Sequence, residues 1–443
     1  MPETFDLVLK GGTVATPAGL VPADVGVREG RIARVGSLSG AAAGETVSVA
    51  GLHVLPGVID SQVHLREPGL EHKEDLATGT AAAVLGGVTS VFDMPNTRPG
   101  TTTAALLADK MARAGSRAWC NYAFFVGATE DNADELGELE RLPGCAGVKV
   151  FMGSSTGNLL VADDEALRLV LESVRRRVAV HAEDEARLRE RLALVGEGAD
   201  VALHPEWRDA ETARRATERL MRLARETRRR VHVLHVSTAE EMDLLQEHRD
   251  IATVEVTPQH LTMNAPDCYR RLGTLAQMNP PIRDMRHRQA LWEGVRQGVV
   301  DVIGSDHAPH TREEKARPYP NSPSGMPGVQ TLVPVMLTHV ADGRLSLERF
   351  IDLTSAGPAR VYGIVGKGRI AAGYDADLTV VDCKAYRVIE ESWIASRCGW
   401  SPFAGKSVRG WPRLTVVGGR IVMRDDELVG PPAGTPVRFL EAL

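Results

Sequence analysis

The chain has 443 residues, of which 43% are hydrophobic and 25% charged, and its formal net charge is −6. This composition excludes a disordered or fibrous chain, and so small a net charge gives no support for nucleic-acid binding. The length suits a barrel of roughly 250 to 350 residues with an accessory domain.

The cysteines and the hydropathy of the chain indicate the cellular compartment of the protein. The five cysteines lie far apart and form no CxxC pair, which predicts neither a disulfide framework nor a thiolate metal site. No apolar run approaches the roughly 18 residues that a membrane span needs. We therefore expect a cytoplasmic protein that does not enter a membrane.

Short alternating strands open and close the chain. Residues 5–55 consist of strand patterns broken by glycine and proline, and the same period-two pattern returns in YDADLTVVD and LTVVGGRIVMRDDELV. The two ends are predicted to pair into one small β-sandwich formed by residues 1–55 and 366–443.

The middle of the chain, residues 56–365, alternates apolar strand-like runs with longer helical patterns. The eight runs are VIDSQVHL, TSVFDMP, WCNYAFFVGA, AGVKVFM, VAVHAE, VHVLHVS, ATVEVTPQHL and VDVIGSDHAP. Eight parallel strands wrapped by helices predict an α/β fold, a TIM-like (β/α)8 barrel. Residues 307–330, rich in proline and charge, are predicted to form a long functional loop over its mouth.

Polar residues stand near the C-terminal ends of most of these strands, where barrels of this type carry their chemistry. A single histidine there would be an ordinary core residue, but so many coincidences favour a metal site. The residues are Gln62 and His64 in strand one, Arg66 just beyond it, Lys149 in strand four, His181 in strand five, His235 in strand six and Asp306 in strand eight.

Lys149 interrupts the apolar run GVKVFM, although lysine is almost never fully buried without a partner. One interpretation is an ion pair with Asp306 or Glu183. The other is that burial lowers the pKa of the amine, which can then add carbon dioxide and bridge two metal ions as a carbamate. His181 and His235 can complete one zinc site, zinc would acidify a water, and Asp306 can serve as ligand and as acid/base catalyst.

Several strings resemble sequence blocks of one enzyme family and occur in the family's order. They are PGVIDSQVHLREPGLEHKED, DMPNTRP, VKVFMGSSTG, VAVHAEDE, VLHVST, VEVTPQHL, MNPPIR and GSDHAPH. On these strings, which run nearly end to end, the chain resembles the dihydroorotases of the amidohydrolase superfamily. The resemblance implies zinc-dependent, reversible cyclisation of N-carbamoyl-L-aspartate to L-dihydroorotate in pyrimidine synthesis.

The resemblance also implies roles for individual residues. Lys149 would be the carboxylated lysine that bridges the metals, His181 and His235 would be ligands of the second metal, and His64 and Asp306 of the first. It further implies a homodimer. Association with aspartate carbamoyltransferase is a second expectation from the same resemblance.

Four residues would recognise the substrate. By the same resemblance Arg66, Asn96, Asn279 and His310 hold the carboxylate and ring of dihydroorotate. A guanidinium beside amide and imidazole donors suits an anionic carboxylate. Allantoinases have strings similar to HFNEPG and DMPLN at the positions where this chain has HLREPG and DMPNT. These differences favour dihydroorotate as the substrate.

One position departs from the superfamily pattern. The first-strand motif D-x-H-x-H appears in residues 60–64 as Asp-Ser-Gln-Val-His, so Gln62 stands in place of the first histidine. An amide oxygen is a weaker zinc ligand than imidazole, which predicts one tight zinc at Lys149, His181 and His235 and a weak or empty first site. Gln259, where many relatives have histidine, receives no predicted role.

Two alternatives to an active dihydroorotase remain open. Gln62 favours a catalytically silent homologue that acts as a structural partner of aspartate carbamoyltransferase. A hydrolase of another cyclic ureide, of the hydantoinase or allantoinase type, is the second alternative. Arg66 discriminates against it, because a substrate without a carboxylate would leave the guanidinium unpaired.

Overall fold

The computed structural model describes residues 4–155 and 159–441. Residues 156–158, which include the end of the VKVFMGSSTG string, lie outside the described residues. The first five strands have the predicted alternating pattern, and their bounds are β1 Thr4–Thr16, β2 Gly19–Arg28, β3 Arg31–Gly36, β4 Ala42–Ser48 and β5 His53–Pro56.

Eight parallel strands follow, and they pair in chain order, as the sequence predicts. They are β6 Val58–Val63, β7 Val88–Asp93, β8 Asn121–Gly127, β9 Cys145–Phe151, β10 Val178–His181, β11 Val231–Val233, β12 Ala252–Val256 and β13 Val302–Ile303. A single parallel bridge between Val63 and His307 joins the first strand to the segment after the last. The sheet is therefore a nearly closed barrel.

Helices follow the barrel strands, and several begin at a side chain that caps the first turn. Asp75, Asp163 and Asp209 each accept a hydrogen bond from a first-turn amide, which satisfies a donor without an intrahelical partner. The helices are α1 Leu76–Leu85, α2 Ala104–Ala114, α3 Leu136–Leu139, α4 Asp164–Ser173, α5 Glu185–Arg191, α6 His204–Trp207, α7 Ala210–Thr227, α8 Ala239–Gln246, α9 Pro258–Thr262, α10 Asp267–Leu272, α11 Met285–Gln297, α12 Arg312–Lys315, α13 Leu332–Ala341, α14 Leu347–Ile351 and α15 Gly357–Tyr362.

The chain then returns to the first sheet. The last strands are β14 Leu378–Val388, β15 Ser407–Val417, β16 Arg420–Arg424 and β17 Glu427–Leu428. Strand β14 pairs antiparallel with β5, so both chain ends share one nine-stranded sheet, as predicted. Its apolar side chains form a cluster of their own around Leu9, Val25 and Val380.

Aromatic side chains close the N-terminal end of the barrel. Phe92 inside the barrel packs edge-on against Tyr362 of α15 and Phe439 near the C-terminus, with ring centroids 5.4 and 5.6 Å apart. Phe439 therefore packs on the barrel, although residues 366–443 were expected to belong to the sheet. The C-terminal ends of the strands form the opposite, open end.

The structure gives the state of the cysteines and the character of the helices. All five cysteines are free thiols. Among the described residues, no helix combines the length and the apolarity required to cross a membrane.

Candidate active site

The predicted site residues, with the exception of His310, line one cavity at the open end of the barrel. Parallel strands bring their C-terminal ends to a common rim, which explains why residues so far apart in sequence meet there. The residues are Gln62, His64, Arg66, Asn96, Lys149, His181, His235, Asn279 and Asp306.

One half of the cavity lies where β6 and the segment after β13 meet. Gln62 Nε2 donates to Asp306 Oδ1 at 3.2 Å, and His64 Nε2 lies 3.3 Å from the same oxygen. His64 Nδ1 lies 2.7 Å from Asn96 Oδ1. Since an amide oxygen can only accept, Nδ1 carries the proton and Nε2 keeps a free lone pair.

The other half contains the two histidines of neighbouring strands. His181 Nδ1 and His235 Nε2 approach to 3.0 Å, and His181 Nε2 lies 2.9 Å from Glu183 Oε2. Arg208 holds this carboxylate with both Nε and Nη2, which keeps the pKa of Glu183 well below its usual range. Burial lowers the pKa of both histidines, so both imidazoles are neutral.

Lys149 lies between the two halves. Its side chain is buried, and burial lowers the pKa of the amine to about 7. Among the described residues the amine forms no ion pair with Asp306 or Glu183, so the ion-pair interpretation finds no contact to support it. The ring centroid of Phe151 lies 4.4 Å from Nζ.

The predicted substrate residues are placed differently from one another. Arg66 is buried, and burial lowers the pKa of its guanidinium to about 10, so the group stays charged. It donates to the Pro309 carbonyl at 3.1 Å, and its Nη2 lies 3.2 Å from His310 Nε2. His310 therefore lies behind Arg66, where Lys73 Nζ contacts its Nδ1 at 3.1 Å. We interpret His310 as a support of Arg66 and not as part of the cavity wall.

The backbone at three site residues adopts the left-handed conformation that non-glycine residues rarely use. The φ angles are 65° for Arg66, 38° for His235 and 45° for Asp306. Asp306 and His235 lie beyond the ends of β13 and β11, and tertiary contacts must maintain their conformation.

Contacts to Ser305 show how the Asp306 backbone is held. The Ser305 amide donates to Asp60 Oδ1 at 2.9 Å, and Gln259 Nε2 donates to the Ser305 carbonyl at 2.8 Å. Gln259, which had no predicted role, is thus one of two side chains that fix the peptide before Asp306. Burial raises the pKa of Asp60 to about 7.

The side chains fit a divalent metal, although the described residues contain no ready-made cluster of three His, Cys, Asp or Glu ligands. Three buried side-chain atoms of the site have no hydrogen-bond partner among the described residues: Gln62 Oε1, His181 Nε2 and His235 Nδ1. The 3.0 Å between His181 Nδ1 and His235 Nε2 is close to the roughly 3.3 Å that separates two nitrogen ligands of one tetrahedral zinc. Neutral imidazoles, a carboxylate and an amine with a low pKa are suitable donors.

Glu183 was predicted only as a possible ion-pair partner of Lys149, and its contacts with His181 and Arg208 were not predicted. A carboxylate 2.9 Å from an imidazole nitrogen can orient the ring for metal binding. We expect Glu183→Gln to weaken metal affinity by about 10- to 100-fold, measured by competition with a chromophoric chelator. The exposed Glu190→Gln is the matched control, and equal affinities in both variants would contradict this role.

The barrel, with imidazoles, a carboxylate and a buried lysine at its C-terminal end, defines the class of barrel hydrolases. Comparison with known proteins makes this specific: the chain belongs to the amidohydrolase family, whose model matches residues 53–422. A protein named dihydroorotase from Halobacterium salinarum is 39% identical over 85% of this chain and 88% of its own length. Another from Methanosarcina acetivorans is 33% identical over 96% and 94%.

A solved structure agrees with this fold over almost the whole chain. The L-hydantoinase (dihydropyrimidinase) from Arthrobacter aurescens superposes with a TM-score of 0.92 at 30% identity, covering 98% of this chain and 99% of that one. With the dihydroorotase relatives, this family membership makes the chain an enzyme that hydrolyses cyclic amides.

Proposed function

We propose that the protein is a dihydroorotase, which interconverts N-carbamoyl-L-aspartate and L-dihydroorotate in the cytoplasm. The observation that carries the proposal is the buried guanidinium of Arg66, held on the cavity wall by the Pro309 carbonyl and His310. A fixed positive charge in a buried site suits the carboxylate that distinguishes dihydroorotate from neutral cyclic ureides.

The residues of the site have different proposed roles in the reaction. Arg66 binds the substrate carboxylate, and Asn279 and Asn96 contact the ring from the cavity wall. Asp306 accepts the proton of the attacking water and delivers it to the ring nitrogen as the carbon–nitrogen bond breaks. In the reverse direction the same carboxylate takes that proton back from nitrogen, and water leaves.

Lys149, His181 and His235 would hold the tightest metal, with zinc the proposed ion and Lys149 carboxylated. When bound, a divalent metal supplies Lewis acidity and lowers the pKa of a water. His64 and Asp306 would hold a second ion, with Gln62 as a poor replacement for an imidazole. Glu183 lies beside His181 Nε2 and Asn96 beside His64 Nδ1, so these two residues would orient the imidazole rings for a metal.

Substitution of Arg66 tests the substrate. We expect Arg66→Met to lower kcat/KM for dihydroorotate by about 100- to 1000-fold, because a charge-assisted pair is lost in a buried site. Hydrolysis of dihydrouracil, which has the ring but no carboxylate, should change by less than about 3-fold. Loss of ring absorbance measures both reactions.

Arg113→Met, on the outer helix α2, is the control for that experiment, since neither Arg113 nor its partner Glu67 lines the cavity. If wild type prefers the neutral ring and Arg66→Met leaves this preference unchanged, the protein is a hydrolase of other cyclic ureides. Absence of turnover with and without added zinc would instead favour the silent homologue suggested by Gln62.

Metal content tests the asymmetric site. Because Gln62 Nε2 is committed to Asp306 and only a neutral amide oxygen is left for a metal, we expect one tightly held zinc per chain. Gln62→His should raise the content to two, as measured by elemental analysis after purification without chelator. Gln62→Asn, which keeps an amide, should stay at one. Two tightly held ions in the unmodified protein would contradict the prediction.

A further inference from the structure

A second cavity, of about 220 Å³, lies at the end of the barrel opposite the candidate active site. Arg177 and Arg230 line it, and each comes directly before a strand, β10 and β11. Val178 pairs with Val231 in the sheet, so the two arginines start neighbouring strands that lie roughly 4.8 Å apart. Arg176 and Arg360 line the same cavity.

These guanidiniums have few carboxylate partners. Arg360 pairs with Asp352 at 2.7 Å, and Glu441 is the acidic residue among those that line the cavity. Within residues 4–155 and 159–441, neither Arg177 nor Arg230 forms an ion pair. Arg177 donates to the carbonyls of Val231 and Ile251, at 3.0 and 3.3 Å.

Arg176 is fixed by the fold. Its guanidinium donates to the carbonyls of Glu140 and Cys145 at 2.6 and 2.9 Å, and its carbon lies 4.5 Å from the ring centroid of Phe439. Its position and charge are therefore set before any ligand arrives. Placing Arg177 and Arg230 beside it concentrates like charge at the rim of a concave surface, which an anion would neutralise.

We propose that this cavity binds a small phosphorylated molecule. Several guanidinium groups around one cavity match the several oxygens of a phosphoryl group, which offers more acceptors than a carboxylate. The cavity is larger than a lone phosphate requires, and Val361 and Leu440 supply an apolar wall for the rest of the ligand. The site is independent of the proposed function, because it shares no residue with the cavity around Lys149.

Titration calorimetry at constant ionic strength tests the proposal, with inorganic phosphate, a nucleoside monophosphate and the matching nucleoside as probes. We expect saturable binding of the monophosphate, weaker binding of phosphate and none of the nucleoside. Arg230→Ala and Arg360→Ala should each weaken monophosphate binding at least about 10-fold. Both residues are exposed, so these variants should fold.

Two further variants serve as controls. Arg175→Ala removes an exposed arginine that does not line the cavity and should bind as wild type does. Arg66→Met should also bind normally, which separates this site from the candidate active site. Equal affinities of Arg230→Ala and Arg175→Ala, loss of binding in Arg66→Met, or absence of saturable binding in wild type would each overturn the proposal.

Discussion

Asp306→Asn is expected to lower kcat for dihydroorotate hydrolysis by about 10³-fold, within the range that general acid–base catalysis contributes. The amide can still accept the hydrogen bond from Gln62 Nε2, so the geometry at 3.2 Å should persist. It cannot accept a proton from water and return it to the ring nitrogen. The measurement is the absorbance assay at saturating substrate, together with the metal content of the variant.

The control for this variant is Asp267→Asn, at an exposed carboxylate on α10. It should leave kcat unchanged. An Asp306→Asn enzyme that retained more than a tenth of wild-type kcat with full metal content would show that another group transfers the proton. Loss of metal together with activity would instead indicate that Asp306 acts mainly as a ligand.

Lys149→Met is expected to lower kcat by about 10³-fold and to reduce tightly bound metal, because it removes the lysine that is proposed to hold the metal. Carbon NMR with labelled bicarbonate tests directly whether Lys149 is carboxylated. Burial lowers the pKa of the amine to about 7, so the neutral form that reacts with carbon dioxide prevails above that pH. In metal-stripped protein the carbamate signal should therefore increase as pH rises from about 6 to about 8.

Lys315 provides a matched control for that signal. It is also buried with a pKa lowered to about 7, but its Nζ donates to the carbonyls of Gln277, Pro323 and Gly325. The signal should survive Lys315→Arg and disappear in Lys149→Met. A carbamate signal that persists in Lys149→Met would remove Lys149 from its proposed role.

The architecture could be predicted because the apolar periodicity of the chain is strong. Eight buried runs separated by helical patterns leave few alternatives to a barrel, and the matching period-two patterns at both ends predicted that they share a sheet. The position of the site was predicted by the same reasoning. A polar residue at the end of a buried strand is costly to bury unless a partner or a ligand compensates for the lost contacts with water.

The local geometry could not be predicted from periodicity. Strand β13 has two residues and β11 three, so Asp306 and His235 follow the strands instead of ending them. Their left-handed backbone depends on distant contacts, such as those of Asp60 and Gln259 with Ser305. The pairing of Arg208 with Glu183 likewise joins a helix end to a strand end, and no local pattern reports it.

The two halves of the site differ in how the surrounding backbone is held together. Lys149 lies on β9, which is laddered to both neighbours, and His181 ends the adjacent β10. Gln62 lies beside the junction of the first and last barrel strands. There, one bridge between Val63 and His307 and the short β13 stand in place of a continuous ladder of backbone hydrogen bonds. Side-chain hydrogen bonds supplement the backbone at this junction: Gln62 Nε2 donates to Asp306, and the Ser305 amide donates to Asp60. The closure of the barrel therefore depends partly on side chains of this half of the site.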